Sequence, residues 1–290
     1  MIPASFDYHA PGSLPEALAL LSKYGDEAKV LSGGQSLLPL LKLRLGQAGH
    51  LIDIGRIPGL EYIREEGGML RIGGRTRESA LERSELVQTR YPILVDTTKV
   101  IADPVVRNMA TVGGNLAHGD PGNDHPATML ALGAQVVATG PKGERVIPID
   151  QFFLGLFRTA LRPDEVLTEI RIPVPPARSG GAYMKLERKV GDYATAAAAA
   201  QVTLDGKGAF ERVGLALTNV GPTPIKASDA EKFLVGKRPE PATLAEAAQR
   251  ASKAATPSAD RRGSVEYKRD MARVLSGRAL KLAVERAGGR

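Results

Sequence analysis

Cysteine is absent from this 290-residue chain. Disulfides, thiol catalysis, Cys-ligated zinc and Cys-ligated iron–sulfur clusters are therefore excluded on this polypeptide. Tryptophan is also absent, and aromatic residues make up only 4% of the chain. That argues against a carbohydrate or single-strand nucleic-acid surface built on stacked rings. The net charge is +7, but Lys and Arg are scattered, without a five- or six-residue basic block. Scattered charge reads first as a solvated surface and next as a match for acidic partner proteins or an anionic cofactor. No nucleic-acid motif accompanies it. No apolar run is long enough to span a bilayer. The opening Met1-Ile2-Pro3-Ala4-Ser5-Phe6-Asp7 lacks a basic segment followed by an apolar one, so the expected location is the cytoplasm. Also missing are Gly-x-Gly-x-x-Gly between strand and helix, Gly-x-x-x-x-Gly-Lys-Ser/Thr and Gly-x-Ser-x-Gly. Their absence sets aside the usual nicotinamide, nucleotide-triphosphate and nucleophile-elbow sites.

What is present is a pair of double-glycine turns, Ser32-Gly33-Gly34-Gln35-Ser36 and Thr111-Val112-Gly113-Gly114-Asn115. Each follows an extended segment and precedes an apolar, helix-like one. Each offers free backbone N–H groups, two adjacent residues without Cβ, and short hydroxyl or amide side chains. A diphosphate needs that combination for close approach of the backbone. A single Gly-Gly can equally mark a plain tight turn, which is the reading for Gly73-Gly74 and Gly180-Gly181. Two equipped turns in one chain can grip one diphosphate from two sides.

The hydrophobic content of 43% and the length allow two to three domains. Ser13-Leu14-Pro15-Glu16 opens a helix through about Lys23. A strand at Ala28–Leu31 runs into the first glycine pair. Ser36 caps a helix over Leu37–Leu45, and His50–Ile54 forms a second strand, parallel to the first. A hairpin over Leu60–Gly73 follows, then one amphipathic helix from Thr76 to about Thr89 and another over Ile93–Val100. Asp124 caps a helix from His125 to Leu132. Gln135–Ala138 and Glu144–Ile147 pair, and Val166–Ile172 is a strand stopped by Pro173, Pro175 and Pro176. That Pro-rich stretch with Ser179-Gly180-Gly181 reads as a linker. Tyr183–Lys189 is a strand. Ala196–Ala200 favours helix on propensity alone. The hairpin pattern continuing through Gln201–Leu204, Asp205-Gly206 and Val213–Leu217 makes it a strand, with small side chains where a cofactor presses on the sheet. Helices cover Ala227–Leu234, Pro241–Ala254 and Ser264–Ala283, and Ala287-Gly288-Gly289-Arg290 is a frayed end.

His118, Asp120, Asp124 and His125 lie close in sequence, but their spacing matches no strong metal-ligand pattern, and Asp-Pro-Gly-Asn-Asp is ordinary turn chemistry. A carboxylate after an anion-gripping turn is better suited to accept from a ribose or ribityl hydroxyl. Lys185 and Tyr193 flank the alanine run. They read either as a surface lysine and a packed tyrosine, or as a lysine near a ring carbonyl and a tyrosine laid over that ring.

Ser-Gly-Gly-Gln-Ser-Leu, Thr-Val-Gly-Gly-Asn and Gly-Asp-Pro-Gly-Asn-Asp-His-Pro-Ala together resemble the FAD-binding medium subunits of molybdenum hydroxylases, and within them the carbon monoxide dehydrogenase type. Glu-Val-Leu-Thr-Glu-Ile-Arg-Ile-Pro and Lys-Val-Gly-Asp-Tyr-Ala-Thr-Ala-Ala extend the likeness to nearly the whole chain. The resemblance implies an α+β fold. A two-part FAD-binding domain of the vanillyl-alcohol-oxidase/PCMH type (residues 1–56 and 57–176) precedes a C-terminal domain of a small antiparallel sheet plus helices (177–290). It implies that Ser32, Gly33, Gly34, Gln35 and Ser36, with Thr111, Val112, Gly113, Gly114 and Asn115, bind the pyrophosphate of FAD. Asp124 would contact a polyol of the cofactor and Ile101 would pack near its adenine or flavin part. Leu167, through its backbone, and Lys185 would approach the isoalloxazine, and Tyr193 would cover it.

The resemblance further implies a large molybdopterin subunit and a small subunit with two [2Fe–2S] clusters as partners, in a dimer of heterotrimers. Electrons would pass from those clusters through FAD to an external acceptor, and the absence of Cys agrees with that division of labour. No His lies in either glycine turn, so a non-covalent flavin is expected. No nicotinamide signature is present, so a quinone or another membrane-side acceptor is expected at least as readily as NAD, with partners placing the complex at the inner face of the membrane. The alternatives are a stand-alone FAD-dependent oxidoreductase of the same fold, which would need acid–base residues at the flavin face, and an assembly subunit with degenerate sites.

Overall fold

The computed structural model describes residues 2–288. The first part is a three-stranded parallel sheet in the order β1-β3-β2, made of β1 (Asp7–His9), β2 (Ala28–Leu31) and β3 (His50–Asp53). Helix α1 (Leu14–Tyr24) covers it, with Ser13 as N-cap accepting from the Glu16 N–H and Pro15 in the first turn. Ala17, Leu18 and Leu21 of α1 bury against Ala28 and Ile52. Between β2 and β3 lies α2 (Leu37–Lys42), which stops short of the expected Leu45. Ser36 precedes it with helical backbone angles and makes no capping bond through its side chain. Strand β1 is too short and too exposed to show in the hydrophobic pattern.

The second part is a five-stranded antiparallel sheet in the order β4-β5-β10-β6-β7. Its strands are β4 (Ile63–Glu66), β5 (Met69–Gly73), β6 (Gln135–Gly140), β7 (Gly143–Pro148) and β10 (Val166–Pro173). A small hairpin, β8 (Phe153–Gly155) with β9 (Arg158–Thr159), precedes β10. Six short helices pack beside the sheet: α3 (Glu78–Arg83), α4 (Glu85–Arg90), α5 (Pro92–Lys99), α6 (Pro104–Arg107), α7 (Val112–His118) and α8 (His125–Leu132). The single helix expected over Thr76–Thr89 is two, because Ser84 is extended and its hydroxyl caps the second.

The third part is a four-stranded antiparallel sheet in the order β11-β12-β13-β14, backed by three helices. The strands are β11 (Ser179–Leu186), β12 (Ala196–Leu204), β13 (Phe210–Thr218) and β14 (Ile225–Lys226); the helices are α9 (Ser228–Leu234), α10 (Pro241–Ala254) and α11 (Val265–Arg286). The alanine run is a strand, as the hairpin pattern predicts. Its small side chains serve helices rather than a cofactor. Ala196, Ala198 and Ala200 bury on one face, with Ala279 and Ala283 of α11 in the same core. Ala197 and Ala199 bury on the other, with Leu94 and Met129 of α5 and α8. Alternating side chains of one strand thus join the third part to the second.

Ser179-Gly180-Gly181 belongs to β11 and not to a linker. A Cβ on Gly180 would stand 2.2 Å from the Ala283 carbonyl oxygen of α11, so these glycines permit a close helix–sheet contact and mark no turn. Strand β11 ends at Leu186 instead of Lys189. Helix α11 runs three residues past Ala283, and Ala287 is buried in the core; Gly289 and Arg290 of the expected frayed end lie outside the described residues.

Candidate cofactor site

Strand β2 delivers the chain to Ser32–Ser36, and α7 opens on Thr111 opposite it. The two segments face a cleft of about 350 Å³. Ser32, Gly33, Gly34, Gln35, Ser36, Thr111, Gly113, Gly114, Asn115 and Leu167 all line it. Ser32 Oγ and Thr111 Oγ1 are within hydrogen-bond distance, which pins one segment to the other. Gly34 has φ +74°, the left-handed conformation that favours glycine.

The second glycine pair is not a turn. Thr111 is the N-cap of α7, accepting from the Gly114 N–H at 3.2 Å, and Gly113 and Gly114 form the helix's first turn. Glycine is required at two positions for another reason. A Cβ on Gly33 would lie 2.3 Å from the Met109 carbonyl oxygen, and one on Gly113 would lie 2.3 Å from the Gly74 carbonyl oxygen. Gly74 in turn is pressed against Leu167, with a Cβ there only 2.1 Å from the Leu167 carbonyl oxygen. Gly73-Gly74 is thus no isolated tight turn. Gly74 lines the cleft and lets α7 and β10 approach through it.

Val112 is fully buried in the core, so only its backbone can serve the cleft. Ile101, Asp124, Lys185 and Tyr193 do not line the cleft; Lys185 and Asp124 form a buried ion pair of their own. Lys185 Nζ donates to Asp124 Oδ2 at 3.0 Å and to the carbonyl of Val100, the residue before Ile101, at 2.9 Å. It also lies 3.3 Å from Glu187 Oε2. The Tyr183 hydroxyl donates to Asp124 Oδ1 at 2.6 Å. Burial pushes the Asp124 carboxyl up, against the pull of the Lys185 ammonium and the Tyr183 hydroxyl. Asp124 is the residue before α8 but makes no cap through its side chain; the carboxylate is committed to Lys185 and Tyr183 instead. Tyr193 lies apart from this pair. Its ring rests on the backbone of Gly122 and is half exposed, and desolvation with the charges of Asp120 and Asp124 raises its hydroxyl. Leu167 falls with the glycine segments, separate from Lys185.

Sequence reasoning missed several cleft residues: Gly74, His118, Arg162 and Glu165. The Gly73-Gly74 pair was a visible signal. Arg162 and Glu165 carried none, because they reach the cleft through the irregular segment before β10. Burial lowers the His118 ring, against the pull of the Asp120 carboxylate. His125, by contrast, is fully buried, with Nε2 at 2.7 Å from Glu78 Oε2. Among the described residues no group of three or more His, Cys, Asp or Glu side chains is placed to hold a metal ion.

The cleft suits a diphosphate with attached polar groups. Among the described residues, the backbone N–H groups of Gly33, Gly34, Gln35 and Ser36 have no backbone acceptor. Asn115 Oδ1 is buried with no hydrogen-bond partner, an orphan that a bound donor would satisfy. Ser32 and Thr111 add hydroxyls on opposite walls.

Comparison with known proteins identifies the family. Residues 4–175 match the family described as the FAD binding domain in molybdopterin dehydrogenase, and residues 181–283 match the CO dehydrogenase flavoprotein C-terminal domain. The chain is 47% identical to the carbon monoxide dehydrogenase medium chain of Afipia carboxidovorans, over 99% of both chains. It superposes with TM-score 0.96 on a chain of carbon monoxide dehydrogenase from Hydrogenophaga pseudoflava, at 49% identity and 99% coverage of each. Quinoline 2-oxidoreductase from Pseudomonas putida superposes with TM-score 0.92 at 33% identity, again over 99% of each chain. The chain belongs to the FAD-binding medium subunits of the molybdenum hydroxylases, of the carbon monoxide dehydrogenase-like type.

Proposed function

We propose that this chain is the electron-transfer subunit of a heteromeric molybdenum hydroxylase. It takes electrons from the [2Fe–2S] clusters of a small partner subunit and hands them to an external acceptor. A large molybdopterin subunit oxidises the substrate, and the assembly is a dimer of heterotrimers. The carrying observation is a cleft suited to a diphosphate, in a chain of an FAD-binding family that has no cysteine. Such a chain can hold a flavin and cannot ligate the clusters that feed it. FAD, when bound, supplies the exchange between one-electron and two-electron carriers.

The chain's own residues bind and orient. Backbone N–H groups of Gly33 to Ser36 and the Thr111–Asn115 segment hold the diphosphate. The remaining lone pairs of Asp124 accept from a cofactor hydroxyl. Ile101 and Leu167 exclude water along the apolar parts, Lys185 fixes Asp124, and Tyr193 covers the exposed end. The acceptor is a quinone or another carrier in preference to NAD, since the nucleotide-binding fingerprint is missing. No helix among the described residues is long and apolar enough to cross a membrane. A quinone would therefore be met at the inner face of the membrane through partner subunits, with the complex in the cytoplasm.

The test is purification from the native host, with acid-released flavin and partner masses measured against this chain. Near-stoichiometric FAD with a large and a small subunit is expected. FAD without partners would make the chain a stand-alone flavoenzyme, and an intact complex without flavin would end the electron-transfer reading. Reoxidation of the reduced complex by quinone analogues tests the acceptor; fast reoxidation by NAD⁺ alone would overturn that part.

A further inference from the structure

Tyr193 lies on the loop that joins β11 to β12, residues 187–195. The loop meets the second part of the fold at two points. Gly191, at φ +82°, sits so close to Ala102 that a Cβ would come within 2.8 Å of its carbonyl oxygen. The Tyr193 ring lies on Gly122, where a Cβ would stand 3.1 Å from the ring. Neither contact encloses the loop, since Val190 is 93% exposed and Tyr193 47%.

Asp192 anchors it. Its Oδ1 accepts from the backbone N–H of Tyr193 at 2.9 Å and from Arg262 Nη2 at 2.9 Å. Arg188 Nε reaches Oδ2 at 3.4 Å. Arg262 comes from a distant stretch of chain, the segment between α10 and α11, and is itself held. Its N–H donates to Asp260 Oδ1 at 2.7 Å, and Asp260 Oδ2 takes the almost fully buried Lys268 Nζ at 2.8 Å. Lys268 also donates to the Ser258 carbonyl. A continuous set of bonds therefore runs from the base of α11 to the residue whose ring rests on Gly122.

We infer that Arg262 is a positioning residue: through Asp192 it holds Tyr193 at the flavin site, so the C-terminal helical layer sets how open that site is to an acceptor. The inference rests on the reading of Tyr193 as the cover of bound FAD. Without Arg262, Asp192 would keep only Arg188 and the Tyr193 N–H, both of its own loop, and the loop would open more often.

The test compares the full chain with Arg262→Gln, Asp192→Asn and Arg262→Lys. Each is followed by tryptic cleavage after Arg188 and Lys189, by bound-flavin fluorescence, which a tyrosine ring against the flavin quenches, and by FAD content. Cleavage is expected to quicken about fivefold in Arg262→Gln and Asp192→Asn, the scale of a partly exposed ion pair, with Arg262→Lys in between. Fluorescence should rise in the same order at unchanged FAD content. Wild-type rates in both variants would overturn the inference. So would faster cleavage with unchanged fluorescence, because the loop would then move without Tyr193. A wild-type chain that holds no FAD would defeat the functional reading instead, and the cleavage rates would still decide whether Arg262 holds the loop.

Discussion

Ser32 Oγ and Thr111 Oγ1 stand 3.0 Å apart although seventy-nine residues separate them in the chain. The same Thr111 oxygen accepts from the Gly114 N–H and so caps α7. One hydroxyl therefore starts a helix and ties the two walls of the cleft. Thr111→Val keeps the shape and removes both bonds. The loss should be about 1–2 kcal/mol of stability, the usual scale of a helix cap. The weakened register of the two walls should lower FAD affinity by roughly tenfold, since about 1.4 kcal/mol is a factor of ten. Thermal unfolding and FAD titration of the flavin-free chain measure the two effects, and Thr111→Ser should restore most of each. Wild-type affinity in Thr111→Val would show that the pin does not shape the cleft.

The glycines divide into two kinds, and alanine substitutions should separate them. At Gly33 and Gly113 a Cβ meets backbone, the carbonyls of Met109 and Gly74. Backbone cannot step aside cheaply, so Gly33→Ala and Gly113→Ala should each cost roughly 1–3 kcal/mol, the range for overpacked sites, and lose FAD. At Gly114 a Cβ meets only Thr111 Oγ1, at 2.7 Å. Gly114→Ala should keep the fold and reduce FAD affinity by displacing that hydroxyl. Flavin content per chain and melting temperature of the three variants check the ranking. Equal behaviour at all three would mean that close approach of the two walls is not the reason for glycine.

Much of this architecture was legible in the sequence because it rests on local signals. Ser13-Leu14-Pro15-Glu16 is a helix start whatever surrounds it, and the flanking hairpin pattern identified Ala196–Ala200 as a strand against its helix propensity. The run's partners were not legible. Alanine there reports two helices pressing on two faces of one strand, a fact of tertiary packing that looks the same in sequence as space left for a cofactor. Gly113-Gly114 shows the same limit: two glycines suggest a turn, but the Thr111 cap and the Gly113 N–H to Gly74 bond hold them in a helix. Arg162 and Glu165 reach the cleft from a segment with no periodicity, so nothing local marks them.

Glu165 makes the cleft wall sensitive to acid. Burial alone would raise its carboxyl; the Arg145 guanidinium and the Arg162 N–H outweigh burial and hold it below the ordinary range. The folded value therefore lies below the unfolded one, about 4.3. The carboxylate stabilises the fold above that pH, and the contribution is lost as pH falls through the folded value. Glu165→Gln should lower the melting temperature at neutral pH and flatten its decline in acid. Parallel acid limbs for variant and wild type would remove Glu165 from the account.

Lys185 and Asp124 expose only 2% and 7% of their side chains, so neither charge has water to fall back on. Removing one partner strands the other. Lys185→Met should cost about 3–5 kcal/mol, as breaking buried pairs does. Asp124→Asn leaves Lys185 with Val100 and Glu187 and should cost less. The double variant Lys185→Met with Asp124→Asn should recover part of the loss, because the Asp124 carboxylate is then no longer buried unpaired, and only part because Glu187 still loses Lys185. FAD affinity discriminates further. Asp124 gives one lone pair to Tyr183 and one to Lys185, and a carboxylate has about four, so it can still accept from a cofactor hydroxyl. If it does, Asp124→Asn weakens FAD binding even where stability is nearly kept, and the double variant does not regain affinity along with stability. Recovery of both together would make the pair a structural clamp between β11 and α8 with no direct hold on the cofactor.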